Sequence, residues 1–128
     1  VLEHLNDDKK TIKLAYDLLE KDGIVIASCP SSNAPLYKLG LLGNFDKEVG
    51  HLRRYTLKEL IELFKINGFN IIETVKTEGF IRNFLYTNKL GEKFIKFIRG
   101  PISYLVSVFD SITIPLFGES QIFIIAQK

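Results

Sequence analysis

Two short segments carry residue types that could do chemistry. In the first, Gly50-His51-Leu52-Arg53-Arg54-Tyr55 sets an imidazole, two guanidinium forks and a phenol directly ahead of Thr56. Thr56 and Glu59 have the Thr-x-x-Glu spacing of a capping box, which predicts a helix starting at Leu57. A loop held at a helix N-terminus presents its side chains to a ligand, and an anionic ligand is favoured there. The planar forks of Arg53 and Arg54 match a carboxylate or a phosphate. His51, Arg53, Arg54 and Tyr55 are therefore candidate substrate-binding residues. The alternative is a structural loop in which one arginine pairs with Asp46, Glu48 or Glu59.

The second segment is Glu3-His4. A histidine titrates near neutrality, so His4 could act as a general base toward a hydroxyl or an amine. The plainer reading has Glu3 and His4 hydrogen-bonding to backbone. Glu3, His4 and His51 are also metal-ligand types, but their spacing matches no standard ligand motif, and no metal is expected. Cys29 as a nucleophile needs a nearby base and a lowered pKa, and neither is visible. It reads as a small apolar residue at a strand end.

These residues must be positioned by the elements around them. Asn6-Asp7-Asp8 supplies N-cap chemistry, and Ile12, Ala15, Leu18 and Leu19 recur at helical spacing, predicting a helix over Asp8–Glu20. The continuous apolar run Ile24–Ala27, bounded by Gly23 and Pro30, reads as a strand covered on both faces. Periodicity then vanishes from Ser31 to Tyr55. Loops that long are often functional lids, and a short helix is possible near Pro35–Leu41. Leu57, Leu60, Ile61 and Phe64 form one face of the capped helix, which Asn67-Gly68 ends. Asn70–Lys76 and Gln121–Ala126 read as strands. Phe80–Gly118 is helical by pattern, with Pro101 opening its last helix and Pro115 closing it.

Composition narrows the function classes. A chain of 128 residues is one domain at most, and a net charge of +2 is too small to imply nucleic acid. One cysteine rules out an intrachain disulfide and fits a reducing, cytoplasmic setting. No leader peptide is visible, and the run Ile102–Phe117 is too short, and interrupted by Asp110, for a membrane span. Lys89–Arg99 interleaves aromatic and basic residues. That pattern fits either a membrane surface and an amphiphilic ligand, or a solvated face over a packed core.

Val1-Leu2-Glu3-His4-Leu5, Gly50-His51-Leu52-Arg53-Arg54-Tyr55-Thr56 with Glu59-Leu60, and Gly68-Phe69 together resemble the C-terminal half of class I S-adenosylmethionine-dependent methyltransferases. The likeness is to the small-molecule group and covers nearly the whole chain. It implies an α/β, incomplete Rossmann-like domain with a three-stranded mixed sheet near Gly23–Cys29, Asn70–Lys76 and Gln121–Gln127. The last strand would lie in the centre, antiparallel to both others, and residues 80–118 would be a helical insertion on the acceptor side. It places Glu3 and His4 beside the S-adenosylmethionine pocket at the carboxyl edge of the sheet, where such sheets bind ligands. It makes His51 and Arg54 the foremost acceptor residues, for a small-molecule or lipid-like acceptor. The glycine-rich cofactor loop of the family has no counterpart here, so the chain alone is expected to be inactive. The resemblance also leaves Gly23–Cys29 with an open edge, from which a homodimer is expected. The alternative function is a non-catalytic module that binds a partner chain or a membrane surface through the helical insertion.

Overall fold

The computed structural model describes residues 1–95 and 100–128. A short 3-10 turn at Leu2–His4 leads into α1 (Asp8–Leu18) and β1 (Ile24–Pro30). Two short helices follow, α2 (Pro35–Lys38) and α3 (Gly43–Val49), then α4 (Leu57–Ile66) and β2 (Asn70–Thr77). Three helices, α5 (Phe80–Thr87), α6 (Lys89–Ile95) and α7 (Pro101–Phe117), precede β3 (Gln121–Gln127).

The sheet order is β1-β3-β2, and β3 runs antiparallel to both neighbours. The expected order and directions are therefore present, with β1 and β2 running the same way on either side of β3. Burial alternates along β3: Ile122, Ile124 and Ala126 are fully covered, while the residues between them are not. Their covered face meets Leu60 and Phe64 of α4, Ile12 of α1, Phe69 and Cys29. Burying each large side chain of this set contributes about 1.5–3 kcal/mol.

Local chemistry explains the element ends. Asp7 caps α1, its carboxylate accepting from the Lys10 amide at 2.9 Å. The capping box of α4 is complete: Thr56 Oγ1 accepts from the Glu59 amide at 3.1 Å, and Glu59 accepts from the Thr56 amide at 2.8 Å. Gly68 turns the chain after α4 at φ +96°, with the Tyr16 ring packed against it.

Three expectations need correction. The Ser31–Tyr55 stretch is not structureless, since it carries α2 and α3. Pro115 does not close α7, which continues to Phe117; a proline lacks a donor but removes only one bond of the ladder. The β1 run is covered on one face only, because Ile24 and Ile26 are 54% and 67% exposed. The basic stretch Lys89–Arg99 lies partly outside the described residues, which include it as far as Ile95.

The helical segment is fixed by one buried acid. Gly79 precedes α5 and gives it no side-chain cap. Asp110 of α7, 2% exposed, supplies the cap instead. Its carboxylate accepts from the Gly79 amide at 2.8 Å and the Arg82 amide at 3.0 Å. Asn83 of α5 in turn accepts from the Leu36 amide at 2.9 Å, tying α2 to the same unit.

Candidate functional site

The loop ahead of α4 runs beside the carboxyl end of β1. Tyr55 N donates to Pro30 O at 3.1 Å, and Ser32 N donates to Tyr55 O at 2.9 Å. In this extended backbone, successive side chains point to opposite sides. Arg53 and Tyr55 turn toward Asp8 at the start of α1, donating to its Oδ2 at 2.9 Å and 2.7 Å. Burial opposes the charge on Asp8, but the Tyr55 hydroxyl and the Arg53 guanidinium outweigh it and hold the carboxyl below its usual range. The same contact and its burial push the Tyr55 phenol well up.

Arg54 turns the other way. Its guanidinium forks onto Asp46 of α3 and lies over the Tyr37 ring, 5.0 Å from the centroid. Asp46 also accepts from His51 Nδ1 at 3.0 Å. Burial works against its ionisation, yet the Arg54 and His51 hydrogen bonds prevail and lower its pKa.

Gly50 joins this loop to the first segment. It closes α3 in the left-handed region at φ +76°, and its carbonyl accepts from His4 Nδ1 at 2.8 Å. Leu52 N donates to Glu3 O at 2.8 Å. The His4 and His51 rings come to 4.9 Å between centroids. Glu3 sits beside them, with Oε1 3.5 Å from His4 Nε2. Two segments far apart in sequence thus converge on one cluster of Glu3, His4 and His51.

Two cavities flank the cluster. A larger, mostly apolar one of about 450 Å³ opens between α1 and β1, lined by Leu2, Glu3, Ile12, Ala15, Val25 and Ala27 among others. A smaller one of about 140 Å³ lies at the carboxyl edge of the sheet. Its walls include His51, Arg54, Glu78, Asn83, Tyr86 and Ser120. Sequence reasoning passed over the last four. Burial, opposed by Arg82 and reinforced by Asp110, pushes the Glu78 carboxyl up. Glu78 also stands at φ +60°, a sparsely populated region for a non-glycine residue. Ser120 Oγ is buried without a hydrogen-bond partner among the described residues. An unmatched buried hydroxyl in a cavity wall is available to a ligand.

Cys29 stands apart from this chemistry. It is fully buried in the core, and burial raises its thiol to about 12.

Known structures place this arrangement. A methyltransferase from Archaeoglobus fulgidus, described as SAM-dependent, aligns over 99% of this chain with a TM-score of 0.58 and 22% identity. An S-adenosylmethionine-dependent methyltransferase from Mesorhizobium loti aligns over 100% with a TM-score of 0.62 and 8% identity. Phosphoethanolamine N-methyltransferase 2 of Haemonchus contortus, solved with S-adenosyl-L-methionine, aligns over 100% with a TM-score of 0.59 and 16% identity. The fold is shared with S-adenosylmethionine-dependent methyltransferases. The chain spans 55%, 58% and 31% of the lengths of those three proteins. No protein-family model matches the sequence, and no curated protein is significantly similar to it.

Proposed function

We propose that this chain forms the acceptor-binding part of an S-adenosylmethionine-dependent methyltransferase. The observation that carries the reading is the cavity at the carboxyl ends of β1 and β2, whose walls include His51, Arg54, Glu78 and Asn83, in a fold otherwise found in such enzymes. Ligands of open α/β sheets bind at that edge. The acceptor is a small or lipid-like molecule with a polar head. Ser120, Asn83 and Glu78 offer it hydrogen bonds, and the Tyr86 ring closes the wall.

Glu3 fits a place beside the cofactor. Its carboxylate is buried beside His4, so it suits a cationic or hydroxylated ligand. His4 would border the same ligand. The cofactor, when bound, supplies an electrophilic methyl group on a positively charged sulfur. The work left to this chain is orientation and, for a hydroxyl or amine, removal of a proton. His4 and His51 donate Nδ1–H to Gly50 and Asp46, which leaves Nε2 of each ring as a lone pair able to accept that proton. Arg53 and Tyr55 hold the loop to α1, and Arg54 holds His51 through Asp46.

Transfer of labelled methyl groups from S-adenosylmethionine to hydroxyl and amine acceptors tests the reading in the full-length protein that contains this chain. His51→Ala and Arg54→Ala should lower acceptor kcat/KM while the cofactor dissociation constant stays put. Normal acceptor kinetics with weakened cofactor binding would contradict the assignment.

One observation favours a second reading. Ile102, Leu105, Phe109, Ile112 and Leu116 of α7 are all more than half exposed and recur at helical spacing. No described helix is long and apolar enough to cross a membrane. Such a stripe fits a membrane surface or a partner chain. Co-sedimentation with lipid vesicles, abolished by charged residues at Leu105 and Phe109, would support that role.

A further inference from the structure

We infer that Glu3, His4 and His51 form a binding site for one divalent transition-metal ion, of which Zn2+ is the simplest probe. Each residue offers a ligand atom, and the three atoms lie within 4.8 Å of one another. The inference stands on this geometry and does not depend on the methyltransferase reading.

The hydrogen bonds around the rings prepare them as ligands. A carbonyl oxygen only accepts, so the 2.8 Å contact with Gly50 O obliges His4 Nδ1 to carry its proton. Asp46 does the same for His51 Nδ1 at 3.0 Å. Both Nε2 atoms are left with lone pairs, and both rings are held in orientation from behind. An imidazole whose second nitrogen donates to a carbonyl or carboxylate is the usual state of a metal-bound histidine.

The pair His4 and Glu3 then poses a problem that a cation resolves. His4 Nε2 faces Glu3 Oε1 at 3.5 Å. That is long for a direct hydrogen bond, and a cation between the two atoms would bind both. Ligands at 2.0–2.2 Å around a tetrahedral ion sit about 3.4 Å apart. The His4–Glu3 separation therefore already matches one edge of a coordination shell. All three ligand atoms lie within 4.8 Å, so closing them to a coordination shell takes side-chain movements of about 1 Å.

Two imidazoles and a carboxylate select a borderline ion over Mg2+ or Ca2+, which prefer all-oxygen shells. Three protein ligands leave a fourth position open, as in catalytic rather than structural zinc sites. His51 also lines the cavity at the sheet edge and Glu3 the larger one beside α1, so the ion sits in the wall between them. A hydroxyl or water bound at the open position would be acidified there.

Calorimetric titration of the 128-residue chain with ZnCl2, and with CoCl2 read by its visible spectrum, tests the site. One equivalent should bind. His4→Ala and His51→Ala should each weaken binding at least about tenfold, with Asp17→Ala as an unaffected surface control. Circular dichroism checks that each variant is folded. X-ray absorption of the unsubstituted zinc-loaded chain needs no variant, and should show a nitrogen and oxygen shell with two imidazoles and no sulfur. A chain extended ahead of Val1 should bind equally well. No binding at millimolar Zn2+, affinity untouched in the double histidine variant, or a shell lacking imidazole would each overturn the inference.

Discussion

Arg54 grips Asp46 through two hydrogen bonds, Nε to Oδ2 at 2.9 Å and Nη2 to Oδ1 at 2.5 Å. The guanidinium is almost wholly enclosed, with 5% of its side chain exposed. Removing one partner of such a pair strands the other charge without water. Asp46→Asn is expected to destabilise the fold by about 3–5 kcal/mol, read by urea unfolding. A loss below about 1 kcal/mol would mean that Arg54 finds another partner.

Acid should act through the same group. Asp46 and Asp8 both have folded-state pKa values below their usual ones. Their stabilisation is complete above the unfolded value and disappears as pH falls through the folded value. Stability should thus decline below about pH 4. The decline should be shallower in Asp46→Asn. Parallel curves for the two proteins would exclude Asp46 as a source.

Glu78 has the opposite sign. Its raised pKa means that the fold binds a proton which the unfolded chain releases earlier, so its contribution worsens as pH rises past the unfolded value. Glu78→Gln should stabilise the protein at pH 7 and change little at pH 4. Unfolding melts at both values decide it. If the variant is instead less stable at pH 7, the carboxylate has a favourable partner.

The thiol of Cys29 should resist modification. With no exposure and a pKa raised to about 12, it offers neither access nor thiolate at pH 8. Labelling by a disulfide-exchange reagent should proceed only as fast as the protein unfolds. Prompt labelling of the native chain would show that the strand end opens locally.

Among the described strands β1 pairs only with β3, along one edge, and Ile24 and Ile26 on its uncovered face are exposed. Open apolar edges recruit other chains. Self-association, most simply a two-fold dimer through β1, is expected in sedimentation runs over a concentration series. A monomer at high concentration would count against it.

Much of the frame was legible because its signals are local. Thr56 and Glu59 announce α4 within four residues, and the apolar alternation of Gln121–Gln127 reads directly as a half-buried strand. The order of the strands came from the likeness to a family, since nothing in three separate runs says which lies in the middle. Tertiary bonds hid the rest. α2 is only four residues long, and a side chain from α5 satisfies its Leu36 amide. Asp110 reads as a flaw in an apolar helix, yet it caps a helix 30 residues earlier in the chain. At the candidate site, the loop signal pointed to His51, Arg53, Arg54 and Tyr55 together, and only the likeness to a family singled out His51 and Arg54. Spacing could not show that His4 meets His51, because the turn at Gly50 brings them together. Glu78 carried no pattern at all, since its character comes from burial beside Asp110.

The place of β3 between β1 and β2 sets a timetable for synthesis. Among the described residues, neither outer strand pairs with anything except β3. A growing chain can form α1 and α4 early, because their bonds are local. Its sheet must wait until residues 121–127 have left the ribosome, and Ile24 must then find Gln127 across the whole intervening chain. Until that moment the apolar faces of β1, β2 and α4 have no common partner. These described elements are therefore exposed to aggregation until β3 emerges, and they should lean on chaperones in that interval.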